Sequence, residues 1–251
     1  MRAGPGLCRV LVALAGSAHA PASAGAAECR QALAIGLDVS GSVDAEEYRL
    51  QRDGLAAALI HPDVQAAFLQ IPSAPVALAI YEWSGTLDQR LILPWTVIDS
   101  PAALAEASAT LRRAGRRSAA RTTAIGTALS WGAALLADRD QCWQATLDLT
   151  GDGSSNEGPR PAAVEIGEVT VNALAIGIGS SLRLDQAETE LDELVAYFEA
   201  EVIRGPGAFV EVASGFSDFE AAMERKLLRE LQTMAVGQAP SGPGPAPRRA
   251  Q

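Results

Sequence analysis

Short apolar runs alternate with segments of helical period along most of this chain. The first run, residues 32–37, stops at a polar cluster, Asp38-Val39-Ser40-Gly41-Ser42. A helix is predicted next. Asp44 and Glu47 have capping-box spacing, and Tyr48, Leu55, Ala58 and Leu59 share one face until Pro62 ends or interrupts it. Residues 76–83 and 87–95 predict two strands joined through Ser84-Gly85, a turn short enough to make them antiparallel. Helices are expected over 102–113 and 125–137, and buried strands over 145–149 and 169–178. Ala187, Leu191, Leu194, Val195, Phe198 and Val202 then repeat with helical period. A short strand at 209–212 and a helix marked by Phe216, Phe219, Met223, Leu227 and Leu231 complete the series. Strands apolar throughout and spaced by helices predict an α/β fold. Its central sheet is mostly parallel, with one antiparallel edge strand and helices on both faces. In such sheets ligand groups gather beyond the carboxyl ends of the strands. Two acidic clusters stand there, after the first strand and after the fourth.

Composition narrows the partners. The 251 residues carry 20 Lys and Arg against 30 Asp and Glu, a net charge of −10 that repels nucleic acid and anionic membrane alike. Two histidines, His19 and His61, and three cysteines, Cys8, Cys29 and Cys142, are too few for a His/Cys zinc site and leave little for a Ser-His-Asp hydrolase. Residues 1–20 have the pattern of an export leader: Arg2 and Arg9, a short apolar run, and Ala18-His19-Ala20 as a cleavage site, with a later cut possible up to residue 27. Glu28 stands where a lipoprotein would need a small residue before Cys29. No other segment is long and apolar enough to span a bilayer, so a periplasmic or secreted protein without membrane insertion is expected. One domain should occupy residues 29–234, followed by a Pro/Gly-rich tail, 235–251, too poor in apolar residues to order.

Asp38-x-Ser40-x-Ser42 puts a carboxylate and two hydroxyls in one tight loop. Alone it is ordinary, since Ser and Asp after a strand cap the next helix. Thr123, ahead of Gly126, and Asp152, in a glycine-rich turn, are equally ordinary alone. Together the three loops supply oxygen donors at one rim with no nitrogen or sulfur, the set a hard divalent cation takes: Mg2+ foremost, with Mn2+ or Ca2+ as alternatives. Two carboxylates balance the charge and leave the ion electrophilic toward one more anionic oxygen.

The series Asp38-x-Ser40-x-Ser42, Thr123-x-x-Gly126-x-Ala128-Leu129 and Asp152-Gly153 resembles the metal-ion-dependent adhesion site of von Willebrand factor A domains, over residues 31–233. More narrowly, Tyr81-Glu82-Trp83-Ser84-Gly85, Thr150-Gly151-Asp152-Gly153 and Gly205-Pro206-Gly207-Ala208-Phe209 resemble a bacterial family of exported A-domain-like proteins of unknown function. The resemblance implies a Rossmann-like A-domain fold. It also implies that Ser40 and Ser42 ligate the metal directly, that Thr123 does so when a ligand is engaged, and that Asp38 and Asp152 bind directly or through water. A Glu or Asp of an unidentified partner protein would fill the open position. The family's usual turn reads Thr-Asp-Gly, whereas Gly151 here separates Thr150 from Asp152, and Thr122 could compete with Thr123. In the family's strand order the first and fourth strands are neighbours, which implies a Cys29–Cys142 disulfide at the rim opposite the metal.

Around the site, Arg112, Arg113, Arg116, Arg117 and Arg121 form a cationic loop, and Glu82 and Trp83 end the second strand. Glu82, Trp83, Arg116 and Arg117 are therefore candidate partner-surface residues. Gly177-x-Gly179 suggests a dinucleotide turn, but Leu182 holds the third glycine's place and no Gly-Lys-Ser/Thr loop occurs. The expected function is a non-enzymatic, divalent-metal-dependent adhesion module. Its rivals are a metal-assisted hydrolase with Asp38 or Asp152 as base, and an assembly subunit with a vestigial metal site.

Overall fold

Residues 29–117, 119–177 and 184–237 are those that the computed structural model describes. The expected leader, residues 238–251 of the expected tail, and Gly179 and Leu182 lie outside them. Continuous apolar character does what it predicts. Strands β1 (Gln31–Asp38), β2 (Val76–Trp83) and β5 (Val169–Ile176) are buried at every position. With β3 (Gln89–Ile98), β4 (Ala145–Gly151) and β6 (Val210–Ala213) they form one sheet of order β3-β2-β1-β4-β5-β6. Only β2 and β3 pair antiparallel, and β3 lies at the edge.

Four helices cover one face: α1 (Ala45–Ala58), α2 (Pro62–Phe68), α3 (Pro101–Arg113) and α6 (Phe219–Gly237). Their Leu55, Leu59, Leu104, Phe68 and Leu227 pack on Leu33, Ile35 and Leu37 of β1. The other face carries α4 (Ile125–Ala137) and α5 (Leu184–Glu201), with Leu129, Leu136 and Phe198 against Ala32, Ala34, Leu147 and Leu149. Alternate residues of β1 thus serve two separate cores, as the twofold strand repeat requires.

Local chemistry sets the element ends. Asp44 caps α1 as expected: its Oδ1 accepts from the Glu46 and Glu47 amides at 2.7 and 2.9 Å, while Glu47 Oε2 takes the Asp44 amide at 2.8 Å. Pro62 does not merely stop a helix. It opens α2 at the first helical position, where its missing N–H costs nothing. Strand β3 starts two residues later than expected and runs past Pro94 to Ile98. An edge strand with a shifted register opposite residues 78–80 tolerates a proline. The expected last helix divides into a short 3-10 turn, Phe216–Asp218, and α6, which also takes in residues 235–237.

Cys29 and Cys142 form the expected disulfide, with their Cα atoms 4.4 Å apart. They pair across the amino-terminal ends of β1 and β4, at the rim opposite the polar loops. Closing a loop of 113 residues stabilises by roughly 4–5 kcal/mol in the chain-entropy account.

Candidate metal centre

Gly36 of β1 pairs with Leu149 of β4, so the two strands end side by side and deliver their polar loops to the same rim. Asp38, the last residue of β1, is wholly buried, as is Ser40. One carboxylate oxygen of Asp38 accepts the Ser40 amide at 2.7 Å, which curls the loop back on itself. Ser40 Oγ and Ser42 Oγ stand 3.2 Å apart, and Ser42 Oγ donates to Asp152 Oδ1 at 2.7 Å. Two carboxylates and two hydroxyls from the ends of β1 and β4 therefore share one pocket of space. Gly151 does not keep Asp152 from reaching it: the strand extends to Gly151, and the carboxylate still meets Ser42.

The third loop is tied to both others. The Gly41 amide donates to the Arg121 carbonyl at 3.2 Å. A Cβ on Gly41 would lie 2.8 Å from the Arg121 backbone, so only glycine lets these loops touch main chain to main chain. From the β4 side, Asn156 Oδ1 accepts the Thr123 amide at 2.9 Å, and Ser155 Oγ accepts the Ile125 amide at 3.2 Å. Those bonds satisfy the start of α4, whose N-cap, Ala124, has no side chain to do so. Thr123 is thus not the N-cap; it is buried, its amide bonded to Asn156 and its carbonyl to Ser155, and its hydroxyl forms no hydrogen bond with Asp38, Ser40, Ser42 or Asp152. Thr122 is committed elsewhere, donating to Glu157 Oε2 at 2.6 Å. Gly126 is dictated by packing, since a Cβ there would sit 2.1 Å from the Pro159 carbonyl oxygen.

Electrostatics fit this donor set to a cation. The second oxygen of Asp38, Oδ2, is buried with no hydrogen-bond partner. Burial first, and the charge of Asp152 second, push the Asp38 carboxyl up to about 8, and burial raises Asp152 as well. A buried, unanswered carboxylate oxygen facing a second carboxylate is costly in a protein interior unless a positive charge is placed between them. Among the described residues no group of three or more His, Cys, Asp and Glu side chains gathers as an alternative cage. The hydroxyl-rich set of Asp38, Ser40, Ser42 and Asp152 is a different chemistry, matched to hard cations that retain water.

Two of the expected surface residues are not on the surface. Glu82 is 3% and Trp83 1% exposed. Helix α1 covers this end of β2. Tyr48 donates to Glu82 Oε1 at 2.6 Å, and Arg90 Nε donates to Glu82 Oε2 at 2.8 Å, so Glu82 is a buried anchor between α1, β2 and β3. Arg116 and Arg117 are exposed at the rim. His61 lies far from this chemistry, preceding α2 and facing Glu224 at 4.0 Å. Gln51, which the sequence reading overlooked, braces the site: its Nε2 donates to the Asp38 carbonyl at 2.8 Å and its Oε1 accepts the Thr150 hydroxyl at 2.6 Å.

Residues 28–235 match a family described as "Protein of unknown function (DUF1194)". No curated protein matches by sequence. Among solved structures, proximal thread matrix protein 1 from the mussel byssus is similar at TM-score 0.54 and 17% identity, over 83% of this chain and 49% of that one. The same protein has been solved with a zinc-occupied MIDAS motif (TM-score 0.54, 16% identity, 82% and 46% covered). BatB from Bacteroides thetaiotaomicron is similar at TM-score 0.51 and 15% identity, over 82% of this chain and 99% of that one. The chain spans less than half the length of the mussel protein. Identities this low carry the fold alone, and that fold is von Willebrand factor A-like. No described helix is long and apolar enough to cross a membrane.

Proposed function

Because the chain belongs to the DUF1194 family and has an A-domain-like fold with oxygen donors converging at one rim, we propose that it is an exported, divalent-metal-dependent binding module. It engages an acidic side chain of a partner protein and catalyses no reaction. The observation that carries this reading is the joining of Ser40, Ser42, Asp38 and Asp152 by short contacts around a buried carboxylate oxygen that lacks a partner. Ser40, Ser42 and Thr123 supply neutral oxygens, and Asp38 and Asp152 supply the charge. When bound, Mg2+, or Mn2+ or Ca2+ in its place, offers a Lewis-acidic corner to an incoming carboxylate. The chain's own task is to hold five donors rigid, leave one side open to solvent through exposed Ser42, and keep the remaining carboxylate oxygens desolvated. The disulfide and the leader-like first residues support a periplasmic or secreted location.

Capture from native extracellular extract with and without EDTA tests the reading. Retention that chelation abolishes, that Mg2+ restores and that Asp38→Ala eliminates is the expected result. Retention indifferent to chelator overturns it. Mg2+-dependent turnover of ester or phosphoester substrates, lost in Asp38→Ala, would replace it with the hydrolase.

A further inference from the structure

The last turn of α3 and the segment that leads from it to α4 concentrate Arg112, Arg113, Arg116, Arg117 and Arg121 on a chain whose net charge is −10. Its place over the metal loop is fixed by three contacts. The Arg116 guanidinium donates to the Val43 carbonyl, next to Ser42. The Arg121 carbonyl receives the Gly41 amide, and Arg90 of β3 donates to the Gly115 carbonyl at 3.0 Å. Arginines 116 and 121 are thereby held within one residue of the two serine ligands. Repulsion between neighbouring guanidinium groups disfavours such a cluster unless anions answer it, and the local acids are already engaged. Arg113 is paired with Glu106 at 2.8 Å, Glu46 with Arg49 at 3.8 Å, Glu82 with Arg90, and Glu47 with the Asp44 amide. Arg117 and Arg121 are exposed and hold no ion pair among the described residues.

We propose that the ligand is an extended acidic protein segment of the form acid-x-acid, one carboxylate going to the metal and the next to Arg117 and Arg121. This deepens the metal-carboxylate reading above and rests on it. In an extended chain alternate side chains share a face, so a second carboxylate two residues along points the same way as the first. A guanidinium fork matches a carboxylate in two parallel hydrogen bonds. The acidity of the rest of the molecule then works for selectivity, because a partner with negative charge elsewhere is drawn only to this rim.

The test uses the full chain in millimolar Mg2+ and two immobilised peptides, identical except that one carries Glu-x-Glu and the other Glu-x-Gln. The expected result is roughly tenfold tighter binding of the diacid, the scale of two exposed ion pairs, with the gap closing at high salt. In Arg117→Gln/Arg121→Gln the gap disappears, while binding of the monoacid peptide and calorimetric Mg2+ affinity stay as in the parent. Equal Mg2+-dependent binding of both peptides by the parent overturns the arginine proposal and leaves the metal reading standing. Absent or EDTA-insensitive binding of both peptides overturns the metal reading, and the arginine proposal with it. Metal-independent retention on a sulfated polysaccharide, lost in the double arginine variant, overturns the protein-segment assignment.

Discussion

Gln51 shows what a single side chain does beneath this site. Its amide joins the Asp38 carbonyl to the Thr150 hydroxyl, and that hydroxyl in turn accepts the Asp38 amide at 3.2 Å. A helix residue therefore clasps the ends of two strands directly below the loop of residues 38–42. Gln51→Leu keeps much of the volume but removes the side-chain donor to the Asp38 carbonyl and leaves the Thr150 hydroxyl proton only the Gly36 carbonyl at 3.5 Å. A loss of about 1–3 kcal/mol in chemical denaturation is expected, together with weaker Mg2+ affinity although every ligand remains. Unchanged Mg2+ affinity in a destabilised variant would show that the clasp serves folding only. The signal was present in the sequence, since Gln51 falls on the stripe shared by Tyr48 and Leu55, but a polar residue between Leu50 and Arg52 reads as solvent-facing. Glu82 misled in the same way. Charge argued for the surface, and only the arrival of Tyr48 and Arg90 from other elements makes its burial tolerable.

At the scale of elements, helix α6 is tied to the sheet by ions as well as by its apolar stripe. Lys226 lies fully buried between Asp148 of β4, at 2.6 Å, and Glu230, at 2.5 Å, and Asn172 of β5 donates to Glu230 at 2.7 Å. Burial, and after it the charge of Asp148, raise the Glu230 carboxyl well above the usual range. One proton retained by the pair of acids leaves the cluster near neutrality, which an apolar interior demands. Lys226→Met removes the only cation among the three and should cost about 3–5 kcal/mol in thermal or denaturant unfolding. Changing all three ionic residues to apolar ones of similar volume should recover most of that loss. If the single and triple variants are equally unstable, the ions contribute more than mutual compensation.

For the whole molecule, pH and metal should be linked. The folded-state value of about 8 for Asp38 lies above its ordinary 3.8. The folded protein therefore binds this proton more tightly than the unfolded chain does. That contribution to stability is complete below the ordinary value and is lost as pH climbs through about 8. On the proposed reading, a divalent cation would do the proton's work at the upper end. The melting temperature without metal should fall from about pH 5 to pH 8, and Mg2+ should raise it strongly at the upper end and little at the lower. Glu230 acts in the same direction but independently of metal, so the difference with and without Mg2+ isolates the rim carboxylates. An Mg2+ increment independent of pH, or one that survives in Asp38→Asn, would count against the site.

The alternation of apolar runs and helical stripes determined by itself the α/β layering, the order of the elements and which strands lie buried on both faces, because burial on two sides leaves few polar positions in a strand. Asp38, Ser40, Ser42 and Asp152, which the structure brings together, were legible because polar residues at strand ends form a short, ordered pattern that neighbours along the chain set locally. What holds them was decided only by tertiary structure. Ser155 and Asn156 fix the start of α4, Gln51 clasps β1 to β4, and Gly41 and Gly126 admit close backbone approaches. Each depends on a partner many residues distant, and the polar character of a side chain does not reveal whether water or another part of the fold will answer it.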